Sequence, residues 1–165
     1  MLKCSVLLSV AVAVLLLFST HGATSTTAGA MQQSGANASA AVRYFSAADV
    51  KKGYESNATL LSGPDHSFTI ITGRRDKPGQ VEVHANDTDV IYIVEGSATF
   101  VTGGKVVEPT TSAPGETRGR EIDGGDPHQL SKGDVIVIPA GVPHWFKTVQ
   151  TPFNDLIVKV RQESR

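Results

Sequence analysis

The chain has 165 residues, with 15 Lys+Arg against 16 Asp+Glu and a formal charge of −1. That balance gives no electrostatic support for a nucleic-acid partner, and the length allows one ordinary domain once the amino-terminal segment is set aside. Sixteen Gly and eight Pro beside 40% hydrophobic and 6% aromatic residues favour short strands joined by many turns, an all-β reading.

Lys3 followed by an apolar run at 6–18, broken only by Ser9, is a secretory signal pattern. Its 13 residues fall short of the ~20 that a spanning helix needs, so no stable membrane span is expected. Cleavage near Gly22 or Ala23 makes 1–23 a signal peptide; Ala28-Gly29-Ala30 offers a second small-residue site further on. The product is expected to be secreted or periplasmic. Cys4, the only cysteine, leaves with the signal, which excludes thiol chemistry and thiolate metal ligands. Residues 24–43 carry Ala, Ser, Thr, Gly and Gln with little to bury, and read as a flexible linker to a domain at 44–160 and a tail at 161–165.

Ser46, with Asp49 three residues on, predicts a capped short helix, and Gly53 suits its exit. Strands are predicted at 67–72, 80–84, 90–95, 97–102, 134–138, 144–148 and 155–160, spaced as in a sandwich or barrel. Glu95-Gly96 reads as a tight hairpin and Gly103-Gly104 as the next turn. Residues 108–129, rich in Pro, Gly, Thr and charge, read as a long loop placed to cover a barrel mouth.

Residues two apart on a strand share a face, so Glu82 and His84 can enter a barrel together, and His144, just after a Pro-Gly turn, can join them. Two imidazoles and a carboxylate on one side of a metal form a facial set suited to Fe(II) and acceptable to Mn, Ni or Zn. Glu82 has a competing reading as an outward partner of Arg74 or Arg75. His66 and His128 read as polar loop residues, His128 lying beside the covering loop. Trp145, Phe146, Phe100 and Phe153 read as core, whereas Tyr92 needs a hydroxyl partner if buried and stands as a candidate catalytic residue.

Gly133, Pro139, Gly141 and His144 meet every position of the second motif of the cupin superfamily, which the chain here resembles; Thr148 stands where that motif ends in Asn. The first motif is altered. Anchored on Gly96, it puts Asp89 in the glutamate position, His84 in the second histidine position and Glu82 in the first. The resemblance implies a single-domain cupin, a double-stranded β-helix or jelly-roll barrel with one short amino-terminal helix. It implies Glu82, His84, His144 and Asp89 as metal positions, with Asp89 either a fourth ligand or a group orienting His84 without touching the metal.

It also implies a small-molecule ligand and, since such barrels often pair through an exposed edge strand, allows a homodimer. The leading functional expectation is a metal-dependent enzyme of dioxygenase, lyase or isomerase type, with Glu82 and Tyr92 as catalytic candidates. The alternatives are a metal-free module for a sugar or other metabolite, and a structural or storage role with a filled interior.

Overall fold

The computed structural model describes residues 41–63 and 67–162. The expected signal at 1–23, the linker as far as 40, Cys4, His66 and the tail from 163 lie outside them. Among the described residues, no helix is long and apolar enough to cross a membrane.

One helix, α1 (Ala47–Ser56), opens the domain on the expected capping box. The Asp49 amide donates to Ser46 Oγ at 3.2 Å, and the Ser46 amide donates to Asp49 Oδ2 at 3.1 Å. Gly53 is not the exit. It sits inside the helix against the following sheet, where an added Cβ would lie 2.7 Å from Thr72 Oγ1. The left-handed exit falls instead on Asn57 at φ 52°, a residue whose short polar side chain tolerates that region.

Among the described residues eleven strands follow: β1 (Thr59–Leu61), β2 (Phe68–Arg75), β3 (Val81–His84), β4 (Asp87–Thr102), β5 (Lys105–Val107), β6 (Thr110–Ala113), β7 (Glu116–Gly119), β8 (Glu121–Asp123), β9 (Asp126–Ser131), β10 (Val135–Ile138) and β11 (His144–Arg161). The main sheet runs β1-β2-β11-β3-β7-β6, with β4 joined to β11, β10 and β9; β5 and β8 form a separate pair. This is the expected all-β jelly-roll barrel with one amino-terminal helix, and its backbone is the long antiparallel pair β4 and β11.

Two expected breaks are absent. Glu95-Gly96 is no hairpin: β4 runs straight through it, and the strands expected at 144–148 and 155–160 are one strand, β11. Ser97 pairs with Gln150 and Glu95 with Asn154, so three residues of β11 stand opposite Gly96. The result is a bulge, which bends both strands around the core rather than reversing them. Gly96 takes φ +84°, and a Cβ there would meet the Pro152 carbonyl oxygen at 2.4 Å. A glycine inside a strand pattern marks such close approaches as well as turns. The Gly103-Gly104 turn is present, at φ +73° and +70°.

The covering loop expected at 108–129 is also absent, because β6 to β9 occupy that stretch. β6 is exposed along its whole length. A strand held by backbone hydrogen bonds without burying a face leaves no apolar alternation to read.

Bends in β4 and β11 wrap them around a core of Ile91, Ile93, Phe100, Phe146, Phe153 and Ile157. Phe146 meets Phe100 edge-on at 4.5 Å between centroids and Phe153 at 5.3 Å. Each such side chain contributes about 1.5–3 kcal/mol by leaving water. A smaller cluster of Val81, Val101 and Ile122 fills the β3 side. Along β4 the inward series Asp87, Asp89, Ile91, Ile93 changes from charged to apolar, so the barrel has one polar end and one oily end.

Candidate metal centre

The polar end is assembled by cross-strand pairing. His144 opens β11 opposite Glu82 of β3, His84 lies opposite Glu116 of β7, Glu82 opposite Arg118 of β7, and Asp89 of β4 opposite Lys159 of β11. Directly opposed residues bring their side chains within reach, so strand register alone creates each contact.

One oxygen or nitrogen from each of Glu82, His84 and His144 lies within 4.8 Å of the others. His84 and His144 are buried, and their rings stand 5.1 Å apart. Each imidazole has its Nδ1 tied down: His84 Nδ1 lies 2.5 Å from Glu116 Oε2, and His144 Nδ1 lies 3.1 Å from the Val142 carbonyl oxygen. With Nδ1–H donating to those acceptors, each Nε2 is turned towards the Glu82 and Asp89 carboxylates, the orientation that metal-bound histidines take.

His84 Nε2 is buried without a hydrogen-bond partner. Around it stand Asp89 Oδ2 at 3.4 Å and Glu82 Oε2 at 3.5 Å, and the same two oxygens lie 3.8 and 3.9 Å from His144 Nε2. Ligand atoms held about 2.1 Å from one transition metal are spaced by about 3.0–3.4 Å, so this donor set needs only small shifts to close on an ion. An orphaned imidazole nitrogen and a convergent nitrogen and oxygen set fit a divalent transition metal.

The charges are strongly coupled. Burial works against ionised Glu82, but His84 and the guanidinium of Arg118, with which it forms an ion pair, overrule it and bring its carboxyl down to about 2. Burial likewise opposes charge on His84, while the Asp89 and Glu82 carboxylates push it up to about 10. Asp89 is lowered, because His84 and Lys159 outweigh its burial. For His144 burial prevails and holds it below the usual range, neutral and ready to donate a lone pair.

Glu82, His84, His144 and Asp89 are thus brought together. Asp89, however, has both carboxylate oxygens 2.8 Å from Lys159 Nζ. Tyr92 is not brought to the site: it falls between the inward residues Ile91 and Ile93, and is 42% exposed on the other face of β4. Glu82 pairs with neither expected arginine, since Arg74 bonds Asp76 and Arg75 bonds Asp155. His128 sits on β9 with Nε2 2.9 Å from Thr102 Oγ1. A cavity of about 30 Å³, room for a water or two, lies beside the donors, lined by Arg75, Glu82, Asp89, His144, Trp145 and Lys159 among others.

Sequence reasoning missed Glu116, Arg118 and Lys159. A signal for Lys159 was present: in the strand predicted at 155–160 it shares the face of Asp155 and Ile157, and an inward lysine calls for a buried carboxylate. Because Glu116 fixes the His84 ring, Glu116→Ala is expected to weaken metal binding by about 10- to 100-fold, as measured by competition with a chromophoric chelator.

A family model described as Cupin matches residues 71–160. No curated protein sequence matches the chain. Among solved structures, hydroquinone 1,2-dioxygenase from Sphingomonas sp. TTNP3, with 4-hydroxybenzoate bound, is 13% identical at TM-score 0.50, with 69% of this chain and 73% of that one covered. A protein of Bacillus halodurans is 16% identical at TM-score 0.50, covering 74% and 85%. KdgF from Halomonas sp. is 14% identical at TM-score 0.42, covering 64% and 79%. At 13% and 16% identity, the first two of these bear on the fold alone.

Proposed function

The chain belongs to the cupin family, and on that premise we propose that it is an exported metal-dependent enzyme acting on a small molecule, of dioxygenase, lyase or isomerase type. One observation carries the reading: two buried imidazoles have Nδ1 anchored and Nε2 turned towards the Glu82 carboxylate, with His84 Nε2 left without a partner. His84 Nε2 faces two carboxylate oxygens at 3.4 and 3.5 Å without a made hydrogen bond to either, a spacing that an ion between them would close.

Glu82, His84 and His144 would hold the ion. A bound Fe, Mn, Ni or Zn supplies Lewis acidity at substrate oxygens and, for iron, oxygen activation. The chain's own residues do the rest. Ile91, Phe146, Ile157 and Trp145 form the apolar wall of the cavity, the Trp145 indole being pinned by donating to the Gly79 carbonyl oxygen at 2.8 Å. Asp89, held ionised by His84 and Lys159 against its burial, keeps a negative charge beside the two imidazoles. Glu82, Glu116 and Arg118 are each about 30% exposed and form the side open to solvent. A substrate entering there meets a carboxylate and a guanidinium before the buried histidines.

A metal-free binding module is the second reading, favoured by the pairing of every carboxylate at the site: Glu82 with Arg118, Asp89 with Lys159, Glu116 with His84. The convergent donors of Glu82, His84 and His144, rather than the small cavity beside them, favour either ligand-bearing reading over a storage role. Metal analysis decides between the first two. Protein recovered after reconstitution with Fe, Mn, Ni or Zn is expected to retain about one ion per chain. Retention of none of the four would leave the binding module. Export is tested on the same preparation, which is expected in the secreted or periplasmic fraction with a mass lacking the first 23 residues or so.

A further inference from the structure

Asp89 and Glu82 stand at almost equal distances from the two imidazoles, yet they are held in different ways. Asp89 Oδ2 lies 3.4 and 3.8 Å from His84 and His144 Nε2, and Glu82 Oε2 lies 3.5 and 3.9 Å from them. Distance therefore does not separate the two carboxylates as ligands. Their cationic partners do.

Arg118 engages Glu82 through Oε1, and Oε2 is left facing the histidines. Lys159 instead reaches both oxygens of Asp89, each at 2.8 Å. An ammonium is a compact charge with three donors, so it can span a carboxylate in this way and leave neither oxygen unengaged. The contact is built into the fold: Lys159 of β11 is paired directly with Asp89 of β4, and the Asp89 side chain is only 4% exposed. Asp89 has almost no water to take the place of the ammonium, although Lys159 itself is 22% exposed, and a metal cation drawn to the same oxygens would be repelled by Lys159.

We propose that Lys159 keeps Asp89 off the metal, so that the site offers three protein ligands, Glu82, His84 and His144, rather than four. The inference rests on the metal reading above and deepens it. A three-ligand set leaves coordination positions for substrate, as in catalytic rather than closed structural sites. It also gives the Asp89 position a different role, that of a carboxylate which remains charged and uncoordinated beside the reacting atoms. Lys159 is a positioning residue, acting through Asp89.

Cobalt(II) is the probe, because its visible absorption weakens as coordination number rises, independently of any turnover. Metal-free protein would be titrated with Co(II) as wild type, Lys159→Met, Lys159→Arg, Asp89→Asn and the Lys159→Met/Asp89→Asn double variant, each checked for folding by near-ultraviolet circular dichroism. Lys159→Met frees Asp89 to coordinate, so it is expected to bind Co(II) about tenfold or more tightly and with weaker bands. The double variant is expected to return to the wild-type spectrum. Asp89→Asn alone and Lys159→Arg are expected to keep that spectrum.

A Lys159→Met spectrum identical to wild type would overturn the proposal, as would an Asp89→Asn spectrum showing loss of a ligand. The second comparison does not depend on Lys159→Met folding. If wild type binds no Co(II) at all, the metal reading itself falls; if it binds but ignores Lys159, only this inference does.

Discussion

In His84→Ala, affinity for a divalent transition metal is expected to drop by more than about 100-fold, beyond the effect of losing a group that only orients a ligand. The direction with pH is equally specific. Asp89 and Glu82 push His84 up to about 10 against its burial, so the metal-free site holds a proton where the metal needs a lone pair. Binding must expel that proton. Calorimetric titration in two buffers of different ionisation heat is expected to count about one proton released per ion at pH 7, and none in His84→Ala. Affinity should rise about tenfold per pH unit until pH nears 10.

Stability of the metal-free protein runs the other way. His84 is raised from its ordinary 6.5, so its contribution is full below that value and is lost as pH rises through about 10. Glu82 is lowered from 4.5, so its contribution is full above that value and is lost as pH falls through about 2. For these two groups together, the metal-free protein is steadiest between roughly pH 4.5 and 6.5, while metal binding favours the alkaline side. Thermal melts with and without metal would diverge as pH rises; parallel curves would contradict the assignment of a shared proton and metal site.

The three donors were legible in the sequence because two rules act locally. Period-two alternation puts Glu82 and His84 on one face, and the Gly133, Pro139 and Gly141 spacing leads into the strand that His144 opens. Their supports were legible at most in part: the inward face of Lys159 could be read locally, but which donor each support meets depends on register between distant strands. Glu116 is 32 residues from His84, and Lys159 is 70 from Asp89. The stretch bearing Glu116 and Arg118 lacked any apolar pattern, so a pair of polar strands passed for a loop. Gly96 misled in the opposite sense: a residue that permits a turn also permits a bulge, and only the three residues facing it on β11 distinguish them.

Away from the donors, Arg75 pairs with the buried carboxylate of Asp155. Arg75→Met is expected to destabilise the fold by about 3–5 kcal/mol at pH 7, because it leaves a buried charge without its partner. Asp155 is fully buried, Arg75 Nε lies 3.1 Å from its Oδ2, and its Oδ1 has no hydrogen-bond partner at all. Backbone crowding fixes it there, since a Cβ on Gly73 would lie 1.8 Å from that Oδ1. Arg75 also stacks on Phe146, its Cζ 3.9 Å from the ring centroid, so the variant loses a cation–π contact and joins the barrel's polar end less firmly to its core. Burial already raises Asp155 above the ordinary carboxylate value despite Arg75. A carboxylate with a raised folded value binds its proton more tightly when folded, so its penalty is full at high pH and disappears as pH falls. Removing Arg75 enlarges that penalty. The melting temperature of Arg75→Met is therefore expected to fall by about 10–20 °C at pH 7 and to recover part of that loss as the pH is lowered towards 4. Adding Asp155→Asn, which removes the charge at nearly constant shape, should restore much of the stability at pH 7 and flatten the pH dependence. A double variant no more stable than Arg75→Met would show that packing on Phe146, rather than the stranded carboxylate, sets the cost.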